Sequence, residues 1–229
     1  MSAAPLRRRQ RARRPSARKP LTRDRVLRVA IQLADKGGIA SLSMRKLAKA
    51  VRVEAMSLYN HVANRDDLLD GMVDSVVAEI EAPTIGGDWK AAMRRRAVSA
   101  HAVLKRHPWS ITLLMSRITV GPAMLRYVDA TVGCLRKAGF SFRMIDHAWN
   151  AVDNHVYGFT LQELNLPVDP EEYASTAKHF LPMIPEEQYP YMREMTLQVI
   201  DGKHDGLLDF HFGLDLILDG LEQVRLRSR

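Results

Sequence analysis

The sequence predicts an all-α protein, and three observations carry that prediction. From Thr22 onward apolar residues recur at three- and four-residue spacing, the period of a helix face, and not at the two-residue alternation of a strand. Glycine and proline fall between these runs, at Gly37-Gly38, Ala82–Gly87, Gly121-Pro122 and Pro167, where helices stop or start. Residues able to accept hydrogen bonds from a first helical turn stand just ahead of several runs: Ser43, Asn64, Asp88 and Ser141. No segment of useful length reads as a strand, and no internal repeat is present.

The elements follow in order. Val26, Leu27, Ala30, Ile31, Leu33 and Ala34 form one face of a first helix that Gly37-Gly38 ends. Met44, Leu47, Ala48 and Val51 define a short second helix behind Ser43, and a short segment over 54–60 follows after about three linking residues. Asn64 caps a fourth helix with Asp66-Asp67 in its first turn, where acids suit the helix dipole, and its apolar positions run from Leu68 to Ile80. After a break at 82–87, Asp88 caps a helix that ends at His107-Pro108, and Trp109 to about Ser116 forms a shorter one. Gly121-Pro122 opens a helix closed near Gly139, and Ser141 caps a long one over 142–166. Prolines 170, 182 and 185 predict short helical pieces and loop over 169–188, followed by a helix at 191–200. The last helix, about 205–225, carries Leu207, Leu208, Phe210, Phe212, Leu214, Leu216, Ile217, Leu218 and Leu221. It is apolar on more than one face and so must be covered on several sides.

Composition bounds the function. Of 229 residues, 46% are hydrophobic and 26% charged, ordinary usage for a globular chain, which argues against wholesale disorder. No apolar run approaches the roughly 18 residues of a spanning helix, so no membrane association is expected. A single cysteine, Cys134, excludes an intramolecular disulfide framework and fits a reducing cytoplasm. Its mid-helix apolar setting reads as a buried, inert thiol. The net charge is +8, and residues 1–20 hold eight basic residues and no acid. Taking those from the 34 basic residues leaves 26, equal to the 26 acidic ones, so the body is neutral and the basicity lies in a tail. With Pro5, Pro15 and Pro20 among its charges, that tail is expected to be a disordered basic arm, either a solvated terminus or a nucleic-acid-binding arm. It lacks the apolar face of a transit peptide.

Two short helices joined by a tight turn over 43–60 have the layout of a helix-turn-helix, which seats its second helix in the major groove of DNA. Between 42 and 65 there are five basic residues, Arg45, Lys46, Lys49, Arg52 and Arg65, against one acid, Glu54. The second helix offers Ala55, Met56, Ser57, Tyr59, Asn60 and His61, small or hydrogen-bonding groups with one long apolar side chain.

The strings Ser43-Met-Arg-Lys-Leu-Ala-Lys-Ala-Val51, Ser57-Leu-Tyr-Asn-His-Val62 and Asn64-Arg-Asp-Asp-Leu-Leu-Asp70 resemble the tetracycline-repressor (TetR) family over about residues 22–80. The Leu58-Tyr59-x-His61-Val62-x-Asn64 core is similar to the tetracycline-repressor branch in particular. The resemblance implies a three-helix DNA-binding head, a connecting fourth helix and an all-helical ligand-binding, dimerising body. The expected division is 1–20 arm, 21–83 DNA-binding unit and 84–229 ligand-binding and dimerisation unit. It further implies that Arg45 and residues 55–57 face bases while Tyr59, His61 and Arg65 touch phosphates. A phenol, an imidazole and a guanidinium at that junction can all donate to phosphate oxygens. The helices near 142–166 and 205–225 are placed to make a dimer bundle. Where the founding member has its drug-contacting and chelate-binding histidines, this chain has Glu81 and Leu114, so a tetracycline–magnesium effector is not expected.

Trp109, Met115, Met124, Tyr127, Trp149 and Tyr157 are candidates to line an apolar effector pocket, with His155 as a polar handle; each also reads as ordinary core. No metal site is expected: Asp201-x-Lys203-x-Asp205 has Lys203 at a ligand position of a calcium loop, and the eight histidines lack ligand spacing. No Gly-rich phosphate loop precedes a helix and no nucleophile–base pair assembles, so no cofactor and no enzymatic activity are expected. The expected function is that of a cytoplasmic homodimeric transcriptional regulator, a repressor released from a palindromic double-stranded DNA operator by a small molecule. The alternatives are a constitutive DNA-binding protein whose body only dimerises, or a small helical enzyme.

Overall fold

The computed structural model describes residues 20–204 and 209–227, and these are helical with no strand among them. The elements are α1 (Arg23–Gly37), α2 (Met44–Val51), α3 (Ala55–Leu58), α4 (Arg65–Val77), α5 (Trp89–Arg106), α6 (Trp109–Ser116), α7 (Pro122–Lys137), α8 (Phe142–Leu164), α9 (Tyr173–Phe180), α10 (Pro190–Ile200) and α11 (Phe210–Arg227). The expected basic arm lies outside the described residues up to position 19, as do residues 205–208 of the expected last helix.

The helix starts are chemically specified. Ser43 accepts from Lys46 N, Asn64 from Asp67 N, Asp88 from Lys90 N and Ala91 N, and Ser141 from Met144 N, as their sequence positions predict. Thr22 adds a fifth cap by accepting from Arg25 N. Gly38 ends α1 at φ 71°, a backbone region that a Cβ disfavours. Three elements differ from the sequence reading. The segment expected over 54–60 is a single α turn, and a chain of tight backbone bonds (His61 N to Leu58 O, Val62 N to Leu58 O) carries it to His61. α4 stops at Val77, since Glu79 and Ile80 tighten into three-residue turns. A short 3₁₀ turn appears at Ile39–Ser41, whereas those at Pro170–Glu172 and Leu181–Met183 are the short helical pieces expected over 169–188.

One apolar core runs the length of the molecule. Val26, Ala30, Leu47, Leu58 and Leu68 fill the N-terminal end, and Met72, Val76 and Val77 of α4 continue it into Leu104, Ile111, Val152, Val156, Leu214 and Leu218. α4 packs on α1 on one side and on α6 and α7 on the other. The α1 contact depends on Gly71, where a Cβ would come within 2.8 Å of Leu27 Cδ2. α5, α8 and α11 pack together, whereas α9 and α10 form a hairpin that packs chiefly on itself. Leu214 and Leu218 are fully buried in the chain's own core, while Leu161 and Leu164 of α8 and Phe212 and Leu216 of α11 are exposed.

Candidate nucleic-acid interface and effector cavity

The N-terminal site is held by a clamp at its edge. Arg23 of α1 donates to both Asp67 carboxylate oxygens (2.6 and 2.9 Å) and to the His61 carbonyl (2.9 Å). Asp67 also accepts from Ala63 N at 2.7 Å. The Arg23 hydrogen bond holds the Asp67 carboxyl below its ordinary value. One guanidinium thus fixes the turn that carries His61 and the first residue of α4, Arg65. The α2–α3 turn is made by Arg52 in the left-handed region at φ 64°, with its N–H bonded to Ala48 O and Lys49 O. A non-glycine residue there stores about 1–2 kcal/mol of strain.

Around that turn Arg45, Lys46, Lys49, Arg52, Tyr59, Asn60 and Arg65 are exposed, and Met56 is 75% exposed at the tip of α3. Ala55, Ser57 and His61 are half-buried beside them. Among the described residues the side chains of Arg45, Tyr59, His61 and Arg65 make no hydrogen bond or ion pair within the chain. Hydrogen-bond donors left free on a tight helical hairpin can pair with phosphates and base edges.

The second site is a cavity of about 240 Å³ between α4, α5, α6, α7 and α8. Met124, Tyr127, Trp149 and Tyr157 of the expected pocket residues line it, joined by Leu114, Val128 and Asp153. The other three sit elsewhere. The Trp109 indole donates to Asp35 of α1 at 2.7 Å, Met115 points to solvent at 61% exposure, and His155 Nε2 lies 2.9 Å from the Phe210 carbonyl at the α8–α11 seam. Leu114 is an apolar wall of the cavity, and Glu81 is exposed and paired with Arg95.

Sequence reasoning missed the polar group at the deep end. Arg96 is fully buried and donates through Nη1 to Asp153 Oδ1 at 2.7 Å. Asp153 Oδ2 accepts from Trp149 Nε1 (2.6 Å) and from the Tyr157 hydroxyl (3.3 Å). Arg96 lies 4.7 Å from the Tyr127 ring centroid. Burial pushes both tyrosine hydroxyls well above their ordinary titration range, so they remain donors. The local signal was an arginine on the α5 face shared with Ala92, Met93, Ala97 and Ala100, all buried.

The cavity mouth is tied to α4. Arg117, which lines the cavity, donates to Asp70 (2.9 Å) and Asp66 (3.1 Å). Asp74, one turn further on, caps α7 by accepting from Met124 N (2.8 Å) and Ala123 N (3.3 Å). A Cβ at Gly121 would collide with that carboxylate. Asp66, Asp70 and Asp74 recur at four-residue spacing, so one face of α4 grips the 117–124 segment. A separate strut joins α1 to the body, where Asp35 meets His107 Nδ1 (2.8 Å) and the Trp109 indole.

Residues 26–72 match the family model for bacterial regulatory proteins of the tetR family, and residues 82–225 match the tetracyclin repressor-like C-terminal domain. The chain belongs to the TetR family. It is similar to the HTH-type transcriptional repressor DrrR1 of Streptomyces coeruleorubidus, at 33% identity over 95% of this chain and 84% of that one. It is also similar to apo ActR of Streptomyces coelicolor, with 26% identity, a TM-score of 0.78, and coverage of 92% of this chain and 99% of that one. For ActR in complex with actinorhodin the identity is 27% and the TM-score 0.74, over 90% of this chain and 99% of that one. As a TetR-family member, this protein is a DNA-binding transcriptional regulator.

Proposed function

We propose that residues 21–83 read a palindromic operator and that the cavity between α4 and the 84–229 unit receives the small molecule that releases it. Arg45 and residues 55–57 would contact bases, and Tyr59, His61 and Arg65 phosphates. Met124, Tyr127, Trp149, Asp153 and Tyr157 would contact the effector, with Leu114 as an apolar wall. The observation that carries this reading is the shared 117–124 segment: it rims the cavity and is gripped by Asp66, Asp70 and Asp74 of α4. A ligand that displaces Arg117 loosens α4, and α4 is clamped through Asp67 and Arg23 to the His61 turn. The ligand then lowers operator affinity by its differential affinity for the two arrangements, and by no more. The likeness to a relative solved with actinorhodin supports a small-molecule effector.

Phe212, Leu216, Leu161 and Leu164 supply the apolar surface for a dimer, placing two recognition segments for adjacent major grooves. Such a protein binds its effector without turning it over and works where its operator is, in the cytoplasm. No described helix is long and apolar enough to cross a membrane. The test is to select operator DNA with the full chain, then measure release by candidate ligands. Arg117→Gln should retain ligand binding while losing much of the ligand's effect on DNA, and equal release by both proteins would remove the proposed route.

A further inference from the structure

The cavity's polar groups define what kind of molecule it takes, given that it is the effector site proposed above. Asp153 is the one carboxylate among the lining residues, and three donors already occupy it: Arg96 Nη1, Trp149 Nε1 and the Tyr157 hydroxyl. Its charge is matched by a guanidinium with no exposure to solvent, so it is not available to a ligand cation. The remaining polar groups can all donate. The Tyr127 hydroxyl has no hydrogen-bond partner among the described residues, and Thr119 brings a further hydroxyl to the mouth. Behind them Arg96 keeps Nε and Nη2 buried and unpartnered. Buried polar atoms in native proteins are nearly always paired, so an unmet guanidinium beside a cavity marks a place where an acceptor is wanted. The walls between these groups are aromatic or aliphatic, with Trp149, Tyr127 and Tyr157 facing Leu114, Val128 and Met124. A volume of about 240 Å³ is at the small end for ligand pockets and suits two or three fused rings.

We infer that the effector is a flat, oxygen-rich aromatic, neutral or acidic, whose carbonyl or acidic oxygen accepts from Tyr127 at the Arg96 end of the cavity, and that it is not a cation. Tyr127 serves here as a specificity-determining contact. Arg96 is a positioning residue that holds Asp153. Because the Tyr127 hydroxyl bonds to nothing among the described residues, its removal is expected to leave the fold intact.

The probes are 2-hydroxy-1,4-naphthoquinone, planar and acidic with acceptor carbonyls, and proflavine, planar and cationic with donor amines. Calorimetric titration of each into the full chain reads binding, and release of selected operator DNA is read separately. The naphthoquinone is expected to bind at least about tenfold more tightly than proflavine, since a cation meets a buried guanidinium and a carboxylate already paired with it. Tyr127→Phe, checked for unchanged helicity and melting, should weaken the naphthoquinone by about fivefold and leave proflavine unmoved, the loss of one net hydrogen bond. Equal or tighter proflavine binding, no naphthoquinone binding, or an unmoved Tyr127→Phe overturns the inference. Tyr127-dependent naphthoquinone binding that never weakens operator binding upholds the ligand class and overturns the cavity's role in release.

Discussion

The two ends of this protein use charge in opposite ways. Around α2 and α3, cations stand in solvent without partners among the described residues; in the body, Arg96 is wholly buried against one carboxylate and the ring of Tyr127. An exposed cation costs little to hold and is free to meet a polyanion, so the DNA end can be built from short local helices. A buried cation is tolerable only when several helices converge to neutralise it, so the effector end has to be assembled from residues far apart in sequence. Between them α4 carries both styles, with Asp67 turned to Arg23 and Asp66, Asp70 and Asp74 turned to the cavity mouth.

If that contrast is right, substitutions should differ in kind as well as in size. The largest effect is expected in the body. Arg96→Met leaves Asp153 buried without its cation and should cost about 3–5 kcal/mol in urea unfolding. At the DNA end the same measurement should barely move, but operator affinity should. Tyr59→Phe or His61→Ala is expected to weaken binding to operator and random duplex alike by about 1–3 kcal/mol. Arg45→Ala should instead erode the preference between bases by a similar amount. A base preference altered by Tyr59→Phe would reverse these roles. Next in size is Gly121→Ala, whose Cβ meets Asp74 and should cost about 1 kcal/mol by pulling the α7 cap apart, with weaker ligand–operator coupling as its signature.

The smallest effect is a pH dependence. Arg23 holds the folded Asp67 carboxyl below its ordinary 3.8, so the stability it contributes is fully present above about pH 4 and is lost as pH falls through the lower folded value. Asp67→Asn should therefore make the acid limb of the stability profile shallower, with little change in the limb above neutrality. Both partners are about a third or more exposed, so solvent and salt screen the pair and the change should be modest.

The helical class, the five caps and the recognition segment lie in stretches of a few dozen residues, where periodicity and capping chemistry act locally. Ser43, Asn64, Asp88 and Ser141 show this directly, since each cap accepts from a residue two or three positions on. The cavity was legible in part. Met124, Tyr127 and Trp149 come together, whereas Trp109 is drawn to Asp35 across 74 residues and His155 to a backbone carbonyl 55 residues away. Apolar type alone cannot tell a wall of a pocket from a wall of the core. Asp66 and Asp67 read in sequence as dipole-favouring acids at a helix start. Their division between the α6–α7 segment and α1 depends on which way neighbouring residues of one helix point, and that is fixed only when the partners pack. Leu214 and Leu218 were similarly grouped with the dimer-forming positions of the last helix, yet they face the chain's own core, so Phe212 and Leu216 are the positions at which a charge should dissociate the dimer without unfolding it.

The central claim is that the cavity and the DNA end are coupled through the Arg117 grip on α4. The most direct measurement is the ratio of operator affinities without and with a ligand shown by calorimetry to occupy the cavity, in the native chain and in Arg117→Gln. A ratio of about 5–150 in the native chain is expected, falling towards one in the variant while cavity binding persists. The same ratio in both proteins would contradict the account.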